Sequence, residues 1–147
     1  MGLSTDKYFV SALRADSILM EAVSNRIYGT AIPLSDEDVD NAPVPYIVVT
    51  FDGLTNDGTT KDGPYEGDYD LVTIGVVVAG KNLTQLHELT ERARKAVLDY
   101  VTTNDTPITD YQFSAEDIIY DSLKPCFGQK LIWQCDVDAF EDEGESR

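Results

Sequence analysis

Between Ser4 and Val23 the apolar residues Phe9, Ala12, Leu13, Leu19, Met20 and Val23 fall at the spacing that gives a helix one apolar face. Ser4 or Thr5 is placed to cap its start. Asp16 interrupts the apolar face and is itself a capping residue type, so the pattern admits one bent helix or two short ones. In "NRIYG" the glycine stops the helical pattern, and Ile27 and Tyr28 suit a short extended segment. The run from Thr30 to Pro45 then carries three prolines and four acids, which removes backbone donors and resists burial. It reads as a surface connection.

Pro45–Phe51, "PYIVVTF", is short, continuous and rich in β-branched and aromatic residues, as a buried strand is. A stretch dense in Asp-Gly turn signals follows, and Asp68–Gly80 supplies a second, longer strand. The pair predicts an antiparallel hairpin with a long acidic loop, Asp52–Glu66, at its tip. "KNLTQLHELTERARKAVLDYV" is the plainest helix. Asn82 caps it, Leu86, Leu89, Ala93 and Val97 form its apolar stripe, and Glu88/Arg92 and Glu91/Lys95 stand at i,i+4 spacing. "TTNDTPITD" breaks the helix. Two further strands are expected around a turn at "PCFGQ", about Ala115–Leu123 and Lys130–Phe140, the second placing Leu131, Trp133, Cys135 and Val137 on one face. The order α-β-β-α-β-β predicts an α+β fold: an antiparallel sheet of about four strands, two helices on one face, and a free edge or face left for a neighbour. Residues 1–140 read as a single domain and 141–147 as an acidic, disordered tail.

Length and charge narrow the function classes. A chain of 147 residues can bury roughly two-thirds of the surface it exposes when unfolded, enough for a real core. No apolar run approaches the ~20 residues of a membrane span, and the N-terminus lacks the regions of a signal peptide, so the chain reads as cytosolic where it is made. The net charge of −16 argues against clamping a nucleic-acid backbone, which needs clustered lysine and arginine; it fits either simple solubility or a surface that DNA passes without adhering. Cys126 and Cys135 stand outside any metal-binding spacing and read as thiols.

Candidate chemistry is sparse. Asp36, Asp38 and Asp40 have the spacing of a calcium-loop start, but the sixth position is Asn41 where glycine is needed and the twelfth is Ile47 where glutamate is needed. His87, the only histidine, lies beside the stripe of the long helix and reads as a boundary residue. No nucleophile elbow or phosphate-cradling loop is present, and the sequence offers no catalytic residue, cofactor site or metal site.

Taken together, "ALRADSILMEAVSNRIYG", "PVPYIVVTF", "GDYDLVTIGVVVAG", "LTQLHELTERARKAVLDYV" and "DIIYDS" resemble the small tail-completion and tail-terminator proteins of long-tailed bacteriophages. The resemblance runs from about Leu3 to Val137. It implies a non-enzymatic virion protein at the head-tail junction, made in the bacterial cytoplasm. It also implies a homo-oligomeric ring, usually a hexamer, that ends or completes the tail tube and offers the head a docking surface. Its partners would then be copies of itself, the tail-tube protein and head-completion or neck proteins, with DNA passing through the bore and no membrane involved. Arg26, Tyr28, Asp62, Tyr65 and Glu66 are the expected subunit-interface residues, with Arg26 open also to a local role at the helix end. Another neck component, or a non-viral acidic binding module, is the alternative reading.

Overall fold

The computed structural model describes residues 2–29, 43–56, 66–122 and 125–140. The acids at 36, 38 and 40, the tip of the expected hairpin loop and the tail at 141–147 lie outside the described residues.

A 3-10 turn, Gly2–Ser4, leads into α1 (Thr5–Arg14), and after Ala15 the chain restarts as α2 (Ser17–Ala22). Asp16 causes the restart, since its Oδ1 accepts the Leu19 amide at 2.9 Å and caps the second helix. The two-helix reading of this segment is therefore the one the chain adopts. Ser24 and Asn25 take positive φ values of 52° and 64°, the left-handed geometry that ends helices, and turn the chain into β1 (Ile27–Gly29). The remaining elements are β2 (Tyr46–Thr55), β3 (Tyr69–Gly80), α3 (Leu83–Thr103), β4 (Ile108–Ala115), β5 (Ile119–Asp121) and β6 (Cys126–Asp138).

Among the described residues the sheet has six strands in the order β1-β2-β3-β6-β4, with β5 also beside β6. It is mixed: β1 runs parallel to β2, Ile27 opposite Ile47, and every other pairing is antiparallel. Where four antiparallel strands and two helices were expected, the described residues hold six strands and three α-helices. The strand expected at Ala115–Leu123 is reduced to the short β5, an additional strand, β4, precedes it, and β6 starts earlier than expected. β4 begins at Ile108, where Pro107 stands just ahead of an edge strand that needs no amide from it. β6 begins at Cys126, with Gly128 inside the strand opposite Ala79.

Alternation along the strands sends one face to the helices. Ile47 and Val49, Val72 through Val78 at every second position, and Leu131, Trp133, Cys135 and Val137 form one core with Phe9, Leu13, Leu86, Leu89, Ala93 and Val97. Trp133 is its centre. Phe9 and Phe113 meet the indole edge-on at 5.4 and 4.8 Å, and Nε1 has no hydrogen-bond partner in the structure. At the end of β3, a Cβ on Gly80 would stand 3.0 Å from the Leu86 amide nitrogen. The glycine lets the first turn of α3 close onto the sheet. Asn82 Oδ1 accepts the Gln85 amide at 2.8 Å while Gln85 Oε1 accepts from the Lys81 amide at 2.7 Å, so cap and side chain fix the helix start from both sides.

Candidate assembly surfaces

The opposite face of the sheet carries no helix among the described residues, and its centre is braced by charge. Lys130 on β6 reaches across β3 to Asp52 on β2, Nζ to Oδ2 at 2.9 Å. The crossing runs over Gly75: a Cβ there would come within 2.4 Å of Lys130 Cε and 2.6 Å of Asp52 Oδ2. Thr50 Oγ1 donates to Asp52 Oδ1 at 2.8 Å and fixes the carboxylate. Tyr28 of β1 stands on this face opposite Val48, half-buried. Tyr46, two residues earlier on β2, has its phenol pKa raised by burial and by the nearby Cys126 and Asp121 charges.

One lateral edge of the sheet is open. Among the described residues no strand pairs with the outer side of β4, and β5 continues the same edge beside Cys126–Gly128. β4 holds its inner face to α3 through Phe113, over which the Arg94 guanidinium lies at 4.2 Å. The adjoining Tyr111 has a raised pKa, chiefly from burial, partly countered by Arg94. Along β5 the apolar side chains face solvent: Ile118, Ile119 and Tyr120 are 38%, 69% and 53% exposed. This projection is ordered. The Glu116 amide donates to the Lys130 carbonyl at 2.9 Å, Gln129 Nε2 donates to the Glu116 carbonyl at 2.9 Å, and Tyr120 rests on Phe127 with ring centres 4.9 Å apart.

On the helical side a groove of about 600 Å³ opens between α2 and α3, floored by Ile18, Leu19, Ala22 and Leu89. Its α3 wall carries Gln85, Glu88, Glu91, Arg92 and Lys95, so acids and cations share it. Its two walls are pinned together by Asp16 and Arg92, Oδ2 to Nε at 2.9 Å. Burial raises the Asp16 pKa, but the Arg92 hydrogen bond, the Leu19 and Ile18 amides and the Arg92 charge outweigh it and hold the carboxyl below its usual value. Arg92 was expected to pair with Glu88 and Lys95 with Glu91; Arg92 instead spans the helices and Lys95 meets Asp99 at 3.0 Å.

The expected interface residues divide. Arg26 is half-buried and serves its own chain: Nε donates to the Pro45 carbonyl at 2.9 Å, and its carbonyl accepts the Ile47 amide at 2.9 Å, so it ties β1 to the start of β2. Arg14 makes a companion tie from α1, Nη2 to the Ile27 carbonyl at 2.7 Å. Tyr28 stands on the open sheet face, and Glu66 is exposed at the base of the β2–β3 hairpin. Asp62 and Tyr65 lie outside the described residues. That base is closed by Asn56, which sequence reading passed over. Its Nδ2 donates to the Gly67 and Tyr69 carbonyls at 3.0 and 3.1 Å and to Asp70 Oδ1 at 2.9 Å, while Oδ1 accepts the Gly67 amide at 2.6 Å. The signal available was an asparagine opening a turn-rich run.

Reactive chemistry is thinly represented on these surfaces. Both cysteines are buried, and burial, with Asp136 adding to it, pushes the Cys135 thiol up to about 12. His87 is exposed on α3, where its carbonyl accepts from Thr90 Oγ1 at 3.1 Å. Among the described residues no three His, Cys, Asp or Glu side chains gather to hold a metal ion, and no helix is long and apolar enough to cross a membrane.

No protein-family profile matches the sequence, and no curated protein matches it. Solved structures do match its shape. A chain from the virion of a native gene transfer agent particle superposes with a TM-score of 0.59 at 16% identity, over 92% of this chain and 95% of its own. The bacteriophage SPP1 gp17 protein aligns with a TM-score of 0.45 at 19% identity, over 90% of this chain and 88% of its own. The first of these likenesses establishes a shared fold across nearly the whole chain.

Proposed function

We propose that this chain is a structural virion protein of the tail-completion and tail-terminator type, one subunit of a ring at the head-proximal end of a phage tail tube. The observation that carries the reading is the fold shared with a gene transfer agent virion chain over 92% of this chain. It is supported, among the described residues, by an unpaired β4 edge and a sheet face without a helix, surfaces that a subunit of a larger assembly would present. Its work is geometric. The subunits stack on the tube, the head docks on the exposed side, and a net charge of −16 keeps DNA moving through the bore. Copies of this chain, the tail-tube protein and neck proteins are its partners, first in the host cytoplasm and then in the virion, and no catalytic step is involved. Glu66, exposed at the hairpin base, and Tyr28 on the open sheet face are placed to meet a neighbour.

Deleting the gene from its phage or prophage and imaging the particles tests this. Headless tails of uncontrolled length assign the terminator role; tails of normal length that fail to join heads assign completion or another neck position. Normal infectious particles would refute it.

A further inference from the structure

We infer that the outer edge of β4 is a receptor for an extended segment of a different protein, a strand that alternates apolar and basic residues. The inference goes beyond the ring reading and does not depend on it. The Glu116 amide donates to the Lys130 carbonyl, which makes these two residues a hydrogen-bonded pair of the antiparallel ladder. By alternation Ser114, Gln112 and Asp110 also turn their main-chain groups to β6, while Ala115, Phe113 and Tyr111 turn theirs outward. Asp110 Oδ1 takes the Tyr111 amide at 2.8 Å and closes that end of the edge. The Tyr111 carbonyl, the Phe113 amide and carbonyl and the Ala115 amide remain, without a partner among the described residues. Such groups accept an added strand, and the surfaces beside the edge select its side chains.

The two sides of this edge differ. On the helical side a notch of about 240 Å³ lies between α3 and the strand, walled by Phe113, Ala115 and Leu131. Glu91 and Arg94 stand over it with opposite charges, and Arg94 lies on the Phe113 ring, so the notch offers apolar surface and little net charge. On the open side the strand presents Asp110 and Glu116, with Asp136 of β6 opposite Asp110. All three acids are exposed, and among the described residues no cation pairs with any of them, Lys130 being given to Asp52. An added strand turns alternate side chains to the two sides. Apolar residues toward the notch and lysine or arginine toward the acids is the pattern that suits both. A second copy does not supply it. Two β4 edges paired antiparallel about Phe113 would set Asp110 against Glu116 twice, and the only basic residues spaced two apart in the sequence, Arg92 and Arg94, lie within α3.

The full-length chain and two short synthetic peptides test this, one alternating lysine and valine, the other of the same composition with its lysines in a single block. The alternating peptide should bind about tenfold more tightly by calorimetry, since only its register serves both sides of the edge. It should slow amide exchange at Phe113 and Ala115 and leave Ser114, whose amide faces β6, unchanged. Ala115→Pro deletes an outward donor and keeps the ladder to β6, so melting should hold while affinity falls about fivefold, the worth of one hydrogen bond. Glu116→Lys, altering an exposed side chain, should weaken the alternating peptide as well. Equal affinity for the two peptides, no binding by either, or binding that leaves exchange at Phe113 and Ala115 unchanged overturns the proposal. The ring reading is decided separately, by the particles.

Discussion

Asp16 performs two tasks with one carboxylate, and two substitutions separate them. It caps α2 through the Leu19 amide and pins α2 to α3 through Arg92. Asp16→Ala removes both. Loss of a cap costs about 1 kcal/mol. An ion pair between a side chain 9% exposed and one 32% exposed adds at most about 1 kcal/mol more, after allowance for solvent screening. The sum is about 2 kcal/mol, or a melting temperature lowered by roughly 4–8 °C for a chain of this size. Asp16→Asn keeps an equally good cap and loses only the charge, so it should cost about half as much. The pH dependence follows from the lowered pKa. A carboxyl whose folded value lies below its unfolded 3.8 contributes stability above that value and loses it as pH falls through the folded one. The gap between wild type and Asp16→Asn, measured by urea unfolding, should therefore be full at pH 7 and close as pH falls below about 4. If Asp16→Asn costs as much as Asp16→Ala, or if its gap is unchanged at pH 3, the division into cap and ion pair is wrong.

Asn56→Ala strips the clamp from the β2–β3 hairpin and leaves the Gly67 amide and Asp70 without that partner, so urea unfolding should show a loss of about 1–3 kcal/mol, with faster amide exchange at Gly67. Trp133→Phe keeps an aromatic ring between Phe9 and Phe113 and removes an unpartnered buried N–H, so thermal melting should show it far milder than Trp133→Ala, for which the cost is about 3–5 kcal/mol. The Cys135 thiol, pushed up to about 12 from 9.0, stays protonated when folded, so at pH 8 it should resist a thiol reagent until the protein unfolds. Because the unfolded thiol ionises first, its contribution to stability is present below pH 9 and falls as pH rises toward 12.

Elements whose signals are local were legible in the sequence. α3 announced itself through an asparagine cap and a long apolar stripe, β3 through a long run of β-branched residues, and the core face of β6 through strict alternation. What escaped depends on partners distant along the chain. The extended segment at Ile27 and Tyr28 was legible, but not its place in the sheet as β1, which is set by the parallel pairing with β2 and by Arg14 and Arg26. β4 was hidden behind Pro107, a breaker in the middle of a sheet and harmless at an edge. Gly128 suggested a turn, yet it lies within the strand opposite Ala79. The groove was invisible for the same reason: its closing contact joins residues 76 apart, Asp16 and Arg92, and local spacing assigned that arginine to Glu88. Of the expected interface residues, Arg26 shows how a cation near a helix end can be claimed by a carbonyl 19 residues on.

The lysine that crosses Gly75 acts as a key for strand alignment. Val76, Val77 and Val78 are chemically alike, so the middle of β3 has little in its own side chains to say which neighbour each should face. The passage from Lys130 to Asp52 exists at one position, where the strand between them has no side chain. Shifting β3 by two residues would preserve the inward and outward faces but place Thr73 or Val77 beneath the lysine, closing the passage and stranding both charges. A slip that hydrophobic burial barely penalises is thereby made costly on the open side of the sheet. The sheet that carries the β5 projection is thus held to a single alignment, and the projection to a single position along its edge.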